Sequence, residues 1–569
     1  MGCYRGRQAG GRLRADRPEP LAKMHFDPVT LQILWSRLIS IADEAAAALL
    51  RTSFSTIVRE SNDFATVLMD AEGNSLAENS IGIPSFVGLL PRTLRHMLAE
   101  YPLEELRPGD VLMTNDPWMG TGHLLDITTA MPVFHGGKLV AFAGATSHMP
   151  DIGGTLWSAD CTEVFEEGLR IPPTKFLVEG RENREVVRFI RGNVRVPDQV
   201  MGDIQAQITA ISVCARRVVE FLADTGLADL TALSATLQAR ADGAMRQAIA
   251  ALPDGTWHGT VFADGYEEAE TRIQCAVTIA GDSLSVDYAG TSPQIARGLN
   301  SVMNYTYAYT VYPLKCALDP MTPRNEGSYR AIGVTAPEGS ILNPRWPAAV
   351  NARHLTGLFL SGALYKCLAQ IAPGLVVADS ASPAPRPVYT GQDDRGDRFS
   401  QVLFGSGGMG ATQGRDGLNT TAFPTNSGSG SIEAFEASAP ILVWGKDLLP
   451  DSGGPGQFRG GLGQKIELEV MTDQPVRLSL ISDRMKHPAG GLDGARAGAP
   501  ALVQLQDGRK PHPKSRTMLA PGDRLTMHLG GGGGYGDPAA RDPAAVQRDI
   551  ADGYVTPEGA QRDYGRKQQ

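Results

Sequence analysis

The placing of glycine constrains this chain most. The sequence holds 65 glycines, and beyond about residue 375 they gather into four dense stretches: FGSGGMGATQGRDG, TNSGSGSIEAFE, DSGGPGQFRGGLGQ and LGGGGGYGDP. Between them lie short apolar runs, KIELEVM, VRLSLIS and DRLTMHL, which read as strands. Glycine weakens regular elements from within but suits turns at positive φ. This part of the chain is therefore predicted to be a β unit whose glycines serve tight turns. None of the runs fits a phosphate cradle. LGGGGGYG is followed by DPAARD rather than a helix, and RGGLGQK lacks the hydroxyl that follows the lysine of a P-loop. The chain is not expected to bind a nucleotide by itself.

Upstream the period changes. GTWHGTVFADGYEEAETRIQCAVTIAGDSLSVDYAGTS alternates apolar and polar residues between Gly and Asp turns, the mark of an antiparallel sheet. Before residue 250 helices enter. Leu31, Leu34, Leu38, Ile41, Ala45 and Leu49 recur at helical spacing, with Asp27 as N-cap and Pro28 in the first turn. FATVLMD then reads as a strand, DAEGNS as a turn, GLLPRTLRHMLAEYP as a helix and ITTAMPVFHGGKLVAFAGATSHM as a hairpin. Helical patterns dominate 198–250, and AAVQRDIADGYVTPEGAQRDYG reads as two short helices. The predicted class is α+β: a disordered extension over 1–24, a mixed α/β unit over 25–250, an antiparallel β/α unit over 251–375, a Gly-rich β unit over 376–540 and a helical tail over 541–569. No period of 20–50 residues marks a repeat protein.

Charge narrows the function classes. Lys and Arg number 53 against 62 Asp and Glu, a net charge of -9, which argues against a nucleic-acid binder. No segment approaches 18 uninterrupted apolar residues. The six cysteines never form a CxxC pair, so a reducing cytoplasm is expected rather than a disulfide framework. MGCYRG carries Gly2 but has Gly6 where myristoylation needs Ser or Thr, and Met24 is the expected start.

The chemistry concentrates in NDPWMGTGHLLDITTA, residues 115–130, and GATSHMPDIGG, residues 144–154. His123 and Asp126 share one loop, His148 ends a strand that can pair back beside them, and Asp63 opens an earlier strand. Asp116 and Asp151 flank the histidines. Neutral imidazoles and carboxylates are what divalent ions take, with a position left open if water is to be activated. Spacing alone equally allows both histidines to cap loops. No G-x-S-x-G elbow is present, and nothing singles out Cys161 as a nucleophile.

Eight collinear stretches, NDPWMGTGHLLDIT, SHMPDIGG, EGLRIPPTK, GDIQAQ, DYAGTSPQIARGLN, NPRWPAAVNARHLTG, DSGGPGQFRGGLG and GGGGGYGDPAARD, carry a resemblance to the hydantoinase B/oxoprolinase family, running from about Phe26 to Tyr564. The resemblance implies a division of labour. A partner A subunit with an actin-like ATPase fold uses ATP to phosphorylate a substrate carbonyl oxygen, and the B subunit hydrolyses the activated cyclic amide at one divalent ion, Zn, Mn or Fe. By similarity His123, Asp126 and His148 are metal ligands and Asp63 a fourth. Asp116 and Asp151 stand behind them, and Glu167 or Asp151 is the expected proton shuttle. The assembly expected is an A2B2-like hetero-oligomer.

The chain departs from the family pattern at Gly120-Thr121-Gly122-His123, where Gly-Gly-Thr-His is usual, and at His148-Met149, where paired histidines are common. Phe86 replaces a frequent histidine, which predicts a more apolar pocket wall. Two other functions stay open: the α subunit of an acetone carboxylase-type enzyme, and a non-catalytic structural subunit that stabilises an ATPase partner.

Overall fold

The computed structural model describes residues 26–565 except 87 and 268; the expected extension over 1–24 lies outside the described residues. Helix α1 (Pro28–Thr52) starts as its sequence dictates, with the Asp27 carboxylate accepting from the N–H groups of Val29 and Thr30 at 3.0 and 3.1 Å. Then follow α2 (Thr56–Ser61), β1 (Phe64–Asp70), β2 (Ser75–Glu78), α3 (Leu89–Glu100), β3 (Val111–Thr114), β4 (Asp126–His135), β5 (Lys138–His148), β6 (Thr174–Val178), β7 (Arg181–Glu182), α4 (Arg184–Asn193), α5 (Pro197–Thr225) and α6 (Thr231–Ala250). The seven strands form one antiparallel sheet in the order β2-β1-β5-β4-β3-β6-β7. Both faces of its centre are covered, so β1 is buried along its whole length. Phe64 and Leu68 pack with α1 and α5, while Ala65, Val67 and Met69 pack with α3.

The middle of the chain gives β8 (Gly255–Ala263), β9 (Thr271–Ala280), β10 (Ser283–Asp287), α7 (Met303–Leu318), β11 (Ile332–Thr335), α8 (His354–Gly357) and α9 (Leu360–Leu368). Its sheet, β11-β10-β9-β8, is antiparallel except that β10 and β11 run parallel, because α7 carries the chain across between them. The Gly-rich part supplies β12 (Arg386–Gln392), β13 (Arg398–Val402), α10 (Ile432–Ser438), β14 (Ile441–Leu448), β15 (Gln464–Val470), β16 (Val476–Ile481), β17 (Leu502–Leu505), β18 (Arg516–Leu519) and β19 (Arg524–His528). They form two antiparallel sheets, β13-β12-β16-β18 and β14-β15-β19-β17, that share one apolar core. The tail is two short helices, α11 (Pro543–Ala551) and α12 (Pro557–Tyr564). The α+β class stands. A further core runs from Ile57 through Val200, Ile273 and Phe359 to Ile481 and joins parts of all three predicted units.

The glycines serve a different purpose from the turns expected of them. Most of those in the dense stretches, Gly408, Gly460, Gly461, Gly463, Gly531 and Gly532 among them, are not at positive φ. They lie in extended segments packed backbone against backbone. Gly461 donates to the Met409 carbonyl at 2.8 Å, Gly532 to Gly461 at 3.0 Å and Gly454 to Gly532 at 2.8 Å. A methyl group on Gly532 would meet the Met409 carbonyl oxygen at 2.1 Å. Gly532→Ala is expected to destabilise the protein by about 1–3 kcal/mol or more, the range for overpacking. Gly243→Ala, with open space around it inside α6, should instead stabilise by about 0.4–1 kcal/mol. Thermal melts of the two variants test this; equal melting points would remove the packing explanation.

Candidate metal centre

Strand register assembles the site. Asp126 opens β4, His148 closes β5, and the two are paired directly. Asp63 stands one residue before β1, its carbonyl accepting from the His148 N–H at 3.0 Å. Three adjacent strands therefore end together. Two acidic or amide side chains on α5, from the stretch GDIQAQ, fix this end. Gln207 donates to the Ile127 carbonyl at 3.0 Å and to Ser147 Oγ at 2.7 Å, and Asp203 accepts from the Phe54 and Ser55 N–H groups that lead into α2.

His123 reaches the cluster from the loop before β4. Gly122 there has φ of +96°, and a Cβ on it would meet Arg353 Cδ at 2.8 Å. The Gly-Thr-Gly-His order thus places its second glycine where a side chain fits neither the backbone nor the space. His123 Nε2 lies 2.8 Å and His148 Nδ1 2.9 Å from the same oxygen, Asp126 Oδ1. One donor atom from each of these three buried residues falls within 4.8 Å of the others. The second carboxylate oxygen, Oδ2, accepts from Arg353 at 2.7 Å and from Thr121 at 2.6 Å.

The other nitrogen of His123, Nδ1, faces the Asn351 carbonyl oxygen at 3.1 Å, which also receives the Trp157 indole N–H at 3.0 Å. His123 is thus caught between two acceptors. Satisfying both with protons would need an imidazolium, but burial, followed by the Arg353 charge, holds its pKa down to about 4. A neutral ring with Nδ1–H on the carbonyl presents a bare Nε2 to a carboxylate oxygen, and a cation between them resolves the clash. Burial opposes ionisation of Asp126, yet the positive charge of Arg353 beside it holds its carboxyl well below the usual range.

The cavity at this point is about 30 Å³, room for two or three waters. Among its lining are Asp63, Ile83, Trp157, Tyr305, Tyr309, Arg353, His354, Arg386, Phe404 and Ser427. Trp157 packs against both His148 and His354, with ring centroids 4.7 and 5.0 Å away. Asp63 lies on this cavity but outside the close group of three, and burial, opposed by His148, raises its pKa.

The remaining sequence candidates lie elsewhere. Asp116 shapes the 116–120 turn and pairs with Arg170 at 2.6 Å. Asp151 is held by Arg195 and by the Gly153 N–H. Neither Asp151 nor Glu167 is among the residues lining this cavity; Asp151 lines a second, smaller cavity beside His148 and Trp157. Glu167 accepts instead from the N–H groups of Val350 and Asn351, which positions the carbonyl that orients His123. Phe86 is buried in the core beneath β1, and the apolar wall comes from Ile83 and Phe404. Met149, where paired histidines are common, is fully buried in the main core. Cys161 is buried, which pushes its thiol up to about 12 and leaves it inert.

Sequence reading missed Trp157, Tyr305, Tyr309, Arg353, His354 and Arg386. The one signal available was NARH, a polar cluster inside an otherwise apolar stretch. The tyrosines ride on α7, whose Tyr, Thr and Val content and internal Pro313 hide its helical character in the sequence.

Glu167 also yields a pH prediction for the metal-free protein. Burial raises its pKa to about 8 from the usual 4.5. Its contribution is therefore full below pH 4.5 and is lost as pH rises toward 8, roughly 5 kcal/mol at 1.36 kcal/mol per unit. Glu167→Gln keeps the acceptor for Val350 and Asn351 and should flatten that decline. Melting temperatures from pH 4.5 to 8.5 measure it, and parallel wild-type and variant curves would disprove the assignment.

Strands ending together, two imidazoles and a carboxylate on a small, partly open cavity, and a carbonyl that fixes one ring define a buried centre suited to a divalent ion. The chain belongs to the hydantoinase B/oxoprolinase family, whose profile matches residues 27–538. It is 31% identical to the B component of a putative D-/L-hydantoinase of a Pseudomonas species (strain NS671), over 96% of this chain and 97% of that one. Its fold matches the crystal structure of the ATP-dependent caprolactamase from Pseudomonas jessenii, with TM-score 0.88 and 29% identity over 95% of this chain and 96% of that one. It also matches an acetone carboxylase structure determined without nucleotide, with TM-score 0.87 and 21% identity over 95% and 79%, a likeness of fold alone. Among the described residues no helix is long and apolar enough to cross a membrane.

Proposed function

We propose that this chain is the B subunit of an ATP-dependent amidohydrolase that opens a cyclic amide such as a hydantoin, 5-oxoproline or another lactam. It acts on a substrate whose carbonyl oxygen a partner ATPase has phosphorylated. The observation that carries the reading is His123, a buried and neutral imidazole between a carbonyl oxygen and a carboxylate oxygen. His123, Asp126 and His148 would hold the ion, with Asp63 as the proposed fourth donor. A divalent ion there would polarise a coordinated oxygen and lower the pKa of bound water from about 15.7 toward about 7; imidazole and carboxylate donors suit Zn, Mn or Fe.

The chain's own residues do the rest. Arg353 and Thr121 keep one Asp126 oxygen occupied so that the other points into the cavity. Trp157 shields the histidine pair from bulk water. Ring opening then consumes two waters. The first adds to the activated carbon, and the C–N bond breaks with a proton passing to nitrogen, which leaves an acyl phosphate. The second releases phosphate and the free carboxylate.

The names of the relatives support both the substrate class and the existence of a partner subunit. The test is co-expression with an A-type ATPase subunit and assay of the complex with hydantoin, 5-oxoproline and caprolactam, with and without ATP. ATP-dependent formation of an acyclic acid is expected from at least one. New carboxylate from a ketone, bicarbonate and ATP, with no lactam opened, would transfer the proposal to the carboxylase reading that the second structural likeness allows. Full activity after His123→Ala and His148→Ala would leave only the non-catalytic structural role.

A further inference from the structure

We propose that Arg386, with His354 and Ser427, forms an oxyanion subsite on the same cavity as the histidine pair, and that it holds the phosphoryl group of the activated substrate. The inference rests on the hydrolytic reading above. Five arginines of the described residues are less than a tenth exposed: Arg353, Arg386, Arg459, Arg484 and Arg541. Four of them have a carboxylate oxygen within 3.4 Å, from Asp126, Asp549, Asp379, or Asp416 and Asp549. Arg386 has no ion pair among the described residues.

At the start of β12 its guanidinium lies over the Phe404 ring, 4.8 Å from the centroid. Its Nε is buried without an acceptor, and among the described residues the guanidinium's one hydrogen bond is a long 3.5 Å contact to Ser427 Oγ. Desolvating a charge without a partner is costly, and this charge lines the same cavity as the three proposed ligands. His354 repeats the pattern: both ring nitrogens are buried without a partner, on that same cavity. Asp63, the other carboxylate there, lies beyond ion-pair distance of Arg386.

Most of the unmet valences are donors. The guanidinium fork, one imidazole N–H and a hydroxyl suit an oxyanion with several acceptor oxygens, while the second ring nitrogen of His354 remains an acceptor. A neutral lactam brings a single carbonyl oxygen and does not call for a buried cation. A phosphoryl group brings two negative charges, and it is released as phosphate at the end of the reaction, so the subsite would also bind that product.

The experiment is calorimetric titration of the metal-loaded, full-length protein with inorganic phosphate and, as a monocarboxylate probe, propionate. Wild type is expected to bind phosphate at least tenfold more tightly than propionate. Arg386→Gln should weaken phosphate at least tenfold, and Ser427→Ala, at a half-buried position outside the core, several-fold, with metal content unchanged in both. Arg386→Lys, which keeps the charge and loses the fork, should fall between. No phosphate binding by wild type, or equal binding by wild type and all three variants, would overturn the subsite. Propionate binding as tight as phosphate, with the same dependence on Arg386, would overturn the phosphoryl assignment in favour of a substrate carboxylate. Because neither partner nor lactam enters the titration, phosphate binding through Arg386 stands or falls apart from the lactam assays.

Discussion

Wild-type protein should carry about one equivalent of a transition metal, and the His123→Ala/His148→Ala double variant should carry almost none and open no lactam. The two imidazoles supply two of the three donor atoms that converge on the cavity. Removing both leaves Asp126, whose other oxygen Arg353 and Thr121 already occupy. The loss should exceed the about 10- to 100-fold that disturbing an outer hydrogen-bond partner alone costs. Elemental mass spectrometry of wild type and variant side by side makes the measurement and identifies the ion. Wild type with no metal as purified and none after incubation would end the hydrolytic reading and bring the non-catalytic structural reading forward. Asp63→Asn, assayed the same way, should lower occupancy less, since Asp63 stands outside the close group.

The second large effect should follow from Arg353→Met. Arg353 and Asp126 are 4% and 2% exposed and meet at 2.7 Å. Removing one partner of a buried pair while leaving the other costs about 3–5 kcal/mol. In the metal-free protein the variant should therefore melt well below wild type. Bound metal compensates the same carboxylate and adds its own binding energy, so the deficit should shrink when the ion is restored. Asp126→Asn on the Arg353→Met background should recover part of the metal-free loss, because the stranded charge is then gone. An equal deficit with and without metal would mean that Arg353 acts through packing on Tyr305, whose ring centre lies 4.2 Å from the guanidinium carbon.

How much of this was legible in the sequence depends on how locally each residue acts. His123 and Asp126 share a loop, and the hairpin that returns His148 beside Asp126 is written in two apolar runs and the HGGK turn. Asp63 needed one more strand pairing. Arg353, His354 and Arg386 arrive from more than two hundred residues beyond the first motif, and what makes them notable, a missing or shared partner, exists only once the chain is packed. Asp151 and Glu167 show the converse. Their position in suggestive loops marked them as candidate proton carriers, but their partners, Arg195 for Asp151 and the Val350–Asn351 backbone for Glu167, could be read only from the fold. With the glycines the composition was informative and its cause ambiguous. A glycine tolerated for positive φ and one required because another backbone lies against it look alike in sequence.

The cavity draws its walls from residues 63–157, then 305–354, then 386–427. That sequence of contributions sets an order in time during synthesis. His148 leaves the ribosome roughly 280 residues before Ser427, an interval of about 15–55 s at 5–20 residues per second. Through that interval the histidine pair can form on its strands while the arginine-bearing wall does not yet exist. The ion can then be loaded from solution into an open half-site, and no passage through the finished protein is needed to deliver it.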